Sequence, residues 1–267
     1  MRLFSTRGLP KSRLWRRAVT ALVLVGAVTG LIAADHTSKS DALWRIVHEA
    51  CVPNQEKQGN PTPCTLVDLK QGYALLKDRV GKTQYLLLPT ARISGIESAS
   101  LLARDTPNYW KFAWDSRALI SQRLGRTLAR DAIGMAVNSA FGRSQNQLHI
   151  HIDCIAPDVR AQLRAHLSAI GSHWANLPFH LDGHPYRARR VDSASLQGVN
   201  PFVLLAQDVQ QSIVHDMKRQ TLVVLGVVFE DGSDGFILLT DTADTLQGDF
   251  AHGEELLDHA CTIAQKP

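Results

Sequence analysis

The chain has 267 residues, of which 45% are hydrophobic and 20% charged, enough for a packed core and too apolar for a disordered segment. Its formal net charge is +4, but Arg2, Arg7, Lys11, Arg13, Arg16 and Arg17 supply six positive charges with no acid among them. The remaining chain is therefore slightly acidic, which excludes a basic nucleic-acid surface; no nucleic-acid partner is expected.

In chain order, residues 1–17 read as a basic cytoplasmic segment and residues 18–34, "AVTALVLVGAVTGLIAA", as an uncharged apolar run. As a helix this run is about 26 Å long at roughly 1.5 Å per residue, close to a hydrocarbon core. The competing reading, a cleaved signal peptide, needs a small residue where Ile32 stands for a cut after Ala34, with Ala27 and Thr29 as a weaker option. An uncleaved transmembrane anchor is the preferred reading. Its basic flank stays in the cytoplasm and sends the rest of the chain to the periplasmic side of a bacterial inner membrane. Residues 35–40, "DHTSKS", form a polar linker, and the folded domain is expected over 41–267.

In that oxidising compartment the four cysteines favour two disulfides among three possible pairings. The interval from Cys51 to Cys64 is rich in Pro, Asn and Gly and reads as a stapled loop, and Cys154 with Cys261 follows by elimination. No Cys spacing is short enough for a CxxC metal site.

Further along, "GYALLKD" and "TQYLLLPT" predict a hairpin turning at Gly81. "NYWKFAWDSRALISQRLG" predicts an amphipathic helix that ends at Gly125 and buries Trp110 and Trp114. "DAIGMAVNS" and "NQLHIHIDCI" predict two more strands, which makes an antiparallel α+β unit with the helix on one face. A C-terminal α+β portion follows: a helix in "DVRAQLRAHLSAIGSHW" and two strands in "QTLVVLGVVFEDGSDGFILLTD", with no residue-level repeat of the first unit. Arg189 and Arg190 are read as arginines on turns or as anion contacts. Apart from Cys261, the last hundred residues offer no functional signal.

The chemistry concentrates in "SQNQLHIHIDC". Strand alternation puts Gln147, His149, His151 and Asp153 on one face and Leu148, Ile150 and Ile152 on the other. Three readings compete: a wet outer face that happens to carry histidines, a zinc site of His149, His151 and Asp153, and a nucleophilic imidazole attacking phosphorus. Asn138, Gly142, Arg143, Ser144 and Gln145 lie just upstream, where amide, hydroxyl and backbone donors suit a phosphate.

The run Asn138, Gly142, Ser144, Gln147-Leu148-His149-Ile150-His151-Ile152 resembles the signature of the histidine triad superfamily of nucleotide hydrolases and transferases. Within it, "LWRIV", "CVPNQ", "LKD", "QYLLLPT", "RISGIES", "GRSQN", "HIHIDCI", "PDVR" and "YRARRV", from about Leu43 to Cys261, are similar to the bacterial CDP-diacylglycerol pyrophosphatase family. The resemblance implies a histidine triad-like antiparallel sheet and hydrolysis of CDP-diacylglycerol, held at the lipid bilayer, to CMP and phosphatidate. It also implies His149 as nucleophile with His151 in support, Ser144 and Asn138 as donors to phosphate or ribose, and Asp78 on a ribose hydroxyl. Gln147 stands where the superfamily has its first histidine, a departure that bears on how the nucleophile and leaving group are served. The scheme calls for no metal or cofactor. A zinc-dependent phosphodiesterase and a noncatalytic nucleotide or lipid binder remain the alternatives.

Overall fold

The computed structural model describes residues 39–211 and 216–265. The basic segment, the anchor and most of the linker expected from the sequence lie outside them. Among the described residues no helix is long and apolar enough to cross a membrane. The chain divides into two units, Met1–Ala42 and Leu43–Pro267, and the second holds the sheet.

Ten antiparallel strands form one sheet in the order β1-β2-β3-β5-β4-β8-β9-β7-β6, with β10 added to β5. Their ranges are β1 Leu66–Asp68, β2 Tyr73–Lys77, β3 Tyr85–Pro89, β4 Ile133–Val137, β5 Ile150–Ile155, β6 Ala175–Asn176, β7 Arg187–Val191, β8 Leu222–Val228, β9 Asp234–Thr240 and β10 Leu257–Asp258. The expected hairpin is β2 and β3, paired from Tyr73 opposite Pro89 to Lys77 opposite Tyr85. The two C-terminal strands are β8 and β9, and β8 joins them to the histidine-bearing part of the same sheet through β4. The architecture is therefore a mixed α+β fold around one large antiparallel sheet.

One face of the sheet is a dry core. Ile150, Ile152 and Cys154 of β5, with Met135 and Val137 of β4, pack under Trp110 and Trp114. These two tryptophans are essentially unexposed, as their helical spacing predicted. The expected single helix is two: α3 (Tyr109–Ser116) and α4 (Ala118–Leu124), meeting at Arg117, whose guanidinium lies over the Trp114 ring. Asn108 caps α3 by accepting from the Lys111 N–H, and Gly125 ends α4 at φ 67°. Burial on this scale makes Trp114→Ala a loss of about 3–5 kcal/mol.

The opposite face is divided. At one side Val47 and Cys51 cover Leu86 and Leu88; at the other Val159 and Leu163 of α5 (Pro157–Ala165) cover Val223, Leu225 and Ile237. The cover over β3 corrects the loop expected between Cys51 and Cys64. α1 (Ala42–Arg45) runs into a π turn, Ile46–Cys51, and then α2 (Val52–Gln58), which stops at Gly59 before the chain returns to Cys64. The bridge Cys51–Cys64 closes this segment, and Cys154–Cys261 joins β5 to the C-terminal end, as elimination suggested. α6 (Pro201–Val209) adds Phe202 and Leu205 to the dry core.

Between the two apolar covers runs β5's polar row. The segment 249–259 crosses it, held close by two contacts that leave no room for a side chain. A Cβ on Gly253 would meet Thr221 Oγ1 at 2.2 Å, and one on Gly134 would meet Leu257 Cδ2 at 2.7 Å.

Candidate active site

The alternation read from the sequence holds, since Leu148, Ile150 and Ile152 all enter the dry core. The other face is not wet. Gln147 and Asp153 are fully buried, and His149 and His151 are 8% and 5% exposed, because the crossing segment covers them. Regular pairing also begins only at Ile150, so Gln147 and His149 belong to the approach to β5.

His149 is oriented by its own turn. Its Nδ1 donates to the Gln147 carbonyl at 2.7 Å, which places the lone pair on Nε2. That Nε2 takes no hydrogen bond among the described residues, nor is it one of the sealed, unpaired atoms of the interior. Burial, then the neighbouring His151, lowers the imidazole to about 4, against smaller opposing effects of the Gln147 carbonyl and Glu254. The ring is neutral at physiological pH.

His151 sits on β5 opposite Leu86 of β3 and Ala136 of β4, with its ring centroid 4.8 Å from that of His149. Gln84 Nε2 meets its Nδ1 at 2.6 Å. With the amide nitrogen as donor, the ring proton is assigned to Nε2, which lies 2.9 Å from Glu254 Oε2, an ion-pair distance off the line of a good hydrogen bond. Burial alone would raise Glu254. The His151 contact, the charge of both imidazoles and the Asn138 side chain outweigh it and hold the carboxyl at about 2. Asn138, at the end of β4, also accepts from the Glu254 backbone N–H at 3.1 Å and so fixes the crossing segment over the row.

Asp153 continues the row but has no free oxygen to offer. Its Oδ1 accepts from Thr83 Oγ1 at 2.5 Å and the Cys154 N–H at 2.8 Å, and Oδ2 faces His259 Nδ1 at 3.0 Å. This contact with Asp153 is the main reason His259 is raised above the ordinary imidazole range. A zinc site of His149, His151 and Asp153 does not fit: His151 Nδ1 and both Asp153 oxygens are engaged, and His149 Nδ1 is bonded to backbone. Among the described residues the trio with donor atoms close enough to share an ion is elsewhere.

The other expected residues divide. Gln147 donates from Nε2 to the Pro89 and Ala91 carbonyls at 3.0 and 2.9 Å and accepts from the Ile93 N–H at 3.4 Å. Its amide is thus occupied with the loop after β3 rather than turned to a ligand, and that is the physical correction to reading it as a substrate contact. Arg143 is held bidentately by Glu97 at 2.6 and 2.8 Å, with Gly95 leaving room for the guanidinium, yet its charge still contributes to lowering His149. Ser144 is exposed beside it, while Gln145 accepts from the Leu43 N–H at 3.1 Å. Asp78 accepts from the Val80 N–H at 3.0 Å in the β2–β3 turn and lies close enough to His259 to raise it. Arg189 and Arg190 are on β7, not on turns, and Arg190 pairs with Asp192.

Gln84, Glu254 and His259 carry no signal of their own in the sequence. The Cys154–Cys261 bridge was the available clue, because it obliges "HGEELLDHAC" to run beside the histidine strand. A cavity of about 390 Å³ lies away from the row, beside Tyr186 and Asp241.

Comparison with known proteins adds three findings. The family model described as CDP-diacylglycerol pyrophosphatase matches residues 38–265. A Yersinia pestis protein named CDP-diacylglycerol pyrophosphatase is 40% identical over 256 residues, covering 96% of this chain and 97% of that one. The crystal structure of a DUF4931 family protein from Bacillus cereus superposes with a TM-score of 0.45 at 8% identity, over 76% of this chain and 95% of that chain.

Proposed function

The chain belongs to the CDP-diacylglycerol pyrophosphatase family, and from that premise we propose that it hydrolyses CDP-diacylglycerol to CMP and phosphatidate through a cytidylyl-histidine on His149. The observation that carries the reading is the ring's state: neutral, with Nδ1–H on the Gln147 carbonyl and Nε2 left for an electrophile.

In the first displacement the Nε2 lone pair forms the N–P bond to the phosphorus bearing cytidine. The anhydride P–O bond breaks with its electron pair going to phosphatidate. Nδ1 keeps its proton, so the ring gains one positive charge, which the Gln147 carbonyl and the Glu254 carboxylate offset. In the second, water attacks the same phosphorus, the N–P pair returns to the ring, CMP leaves and one proton is released. Phosphatidate is a phosphate monoester with a second pKa near 6, so it departs without a proton donor. A histidine at the position of Gln147 is thus dispensable for this leaving group. His151, with Nε2–H directed by Gln84 and Glu254, supports the phosphoryl oxygens, joined by Ser144 and the Arg143 charge.

The same reading places the chain at a membrane. A substrate with two acyl chains stays in the bilayer, and tethering through residues 18–34 turns the search into a two-dimensional encounter, with the sheet on the periplasmic side.

Rapid quench after mixing with CDP-diacylglycerol labelled in the cytidine-side phosphate tests the chemistry. Label recovered on His149, and absent from His149→Ala, is the expected result; turnover with no protein-bound label at any time point overturns the covalent route.

A further inference from the structure

A second cluster of imidazole and carboxylates lies outside the histidine row. The tight turn Leu181–His184, with Asp182 and Gly183 both at positive φ, presents His184 to the end of β9 and to the start of the crossing segment. Its Nδ1 is 2.9 Å from Asp249 Oδ2 and its Nε2 is 3.8 Å from Glu255 Oε2. Donor atoms of His184, Asp241 and Asp249 all fall within 4.8 Å of one another.

Asp241 makes this more than an acidic patch. It is 3% exposed; Oδ1 accepts from the Thr242 N–H at 2.7 Å, while Oδ2 is sealed from solvent with no partner. A buried carboxylate oxygen lacking a donor, beside a second carboxylate, is unfavourable unless a proton or a cation is supplied. His184 is itself a member of the cluster and faces Asp249, and the neighbouring arginines are turned elsewhere. Arg187 is engaged bidentately by Asp208 at 2.6 and 3.0 Å, and Arg219 donates to the Ala243 carbonyl.

We propose that His184, Asp241 and Asp249 bind one divalent cation of the zinc or manganese class. One imidazole with carboxylates suits these ions better than the all-oxygen sets of magnesium or calcium. Bonds of about 2.0 Å in a tetrahedral site put ligand atoms about 3.3 Å apart, so closure needs shifts of an ångström or so. Glu255 stands behind the ring and accepts from Tyr186 Oη at 3.0 Å. A carboxylate there keeps the proton on Nε2 and turns the Nδ1 lone pair to the ion. A cavity of about 390 Å³ lies next to the cluster, sharing Asp241 in its lining with Tyr186 and Thr242. The ion ties the turn at 181–184 and the end of β9 to the segment that carries Glu254, and this role stands whether or not His149 is the nucleophile.

The test uses tag-free full-length protein, stripped with EDTA, incubated with Zn²⁺ or Mn²⁺ and desalted. About one ion per chain is expected, with a rise in Tm of about 5 °C or more at 100-fold excess over Kd. His184→Ala and Asp241→Asn lose the ion, while His173→Ala, at an exposed imidazole, keeps it. Uptake below a fifth of an ion by the wild type overturns the site, as does full retention by His184→Ala. Uptake of Mg²⁺ or Ca²⁺ alone overturns the class of ion. Wild-type uptake and the half-exposed His184 variant decide the matter even if Asp241→Asn does not fold.

Discussion

The turn Gly253–Leu256 carries adjacent acids into two different neighbourhoods. Glu254 faces two imidazoles, His149 and His151, whereas Glu255 shares one imidazole, His184, with Asp241 and Asp249. Where imidazoles outnumber acids, the carboxyl falls to about 2 and His149 to about 4. Where acids outnumber imidazoles, burial leads in pushing Asp241 up to about 6 and Glu255 to about 7. The same two residue types thus give a neutral imidazole beside an ionised carboxylate on one side and crowded carboxylates raised toward their neutral form on the other. Stoichiometry and burial decide the chemistry, and residue type alone does not.

The sharpest way to break that contrast is to remove the imidazole proposed as nucleophile. His149→Ala is expected to lower kcat by about 10⁴-fold or more, the scale of losing a covalent nucleophile. Activity within tenfold of wild type sends the attack to another group.

The acid response comes next. His149 has a folded pKa below its unfolded value, so its contribution is fully present above pH 6.5 and is lost as pH falls from there through 4. Glu254 is also depressed, and its contribution is lost as pH falls from 4.5 through 2. Each shift is worth on the order of 3 kcal/mol, less for Glu254 after allowance for its partial exposure. Melts of the wild type should lose about 5 °C or more between pH 7 and 4, and His149→Ala should flatten that interval. The acid limb of kcat/KM should lie near 4 to 5. A limb at 6.5 would mean an ordinary, solvated imidazole.

Glu254→Gln keeps shape and removes charge. With His151 no longer held by a carboxylate, kcat should fall about 10²-fold while KM stays within about threefold. Equal losses in both, with a lower Tm, would make Glu254 merely structural.

Much of this arrangement was legible in local pattern. The alternation of Leu148, Ile150 and Ile152 against His149 and His151 set the faces of β5, the tryptophan spacing set the dry core, and Gly125 set a helix end. What escaped was non-local. Glu254 and His259 reach the row from more than a hundred residues away, across a segment whose sequence has no strand or helix period. The interval from Cys51 to Cys64 was read as loop because it is rich in Pro, Asn and Gly, yet Pro53 sits in the first turn of α2, where its missing N–H costs nothing, and Gly59 only ends that helix. Burial of the polar row could not be read either, since alternation distinguishes the two faces of a strand without saying what covers each.

Gln147 gives the smallest and most discriminating effect. Histidine stands at this position in the histidine triad signature that the sequence resembles, so Gln147→His completes that pattern, and motif logic alone expects a faster enzyme. The geometry expects the reverse. The amide closes three backbone groups of the loop after β3, and an imidazole can serve fewer of them. Stability should fall by about 1–2 kcal/mol, read as a lower Tm. Turnover should change less than tenfold and not rise, because phosphatidate needs no proton to depart. A clear increase in kcat would show that protonation of the leaving oxygen limits the reaction, and it would move the slow step from attack by His149 to release of the lipid phosphate.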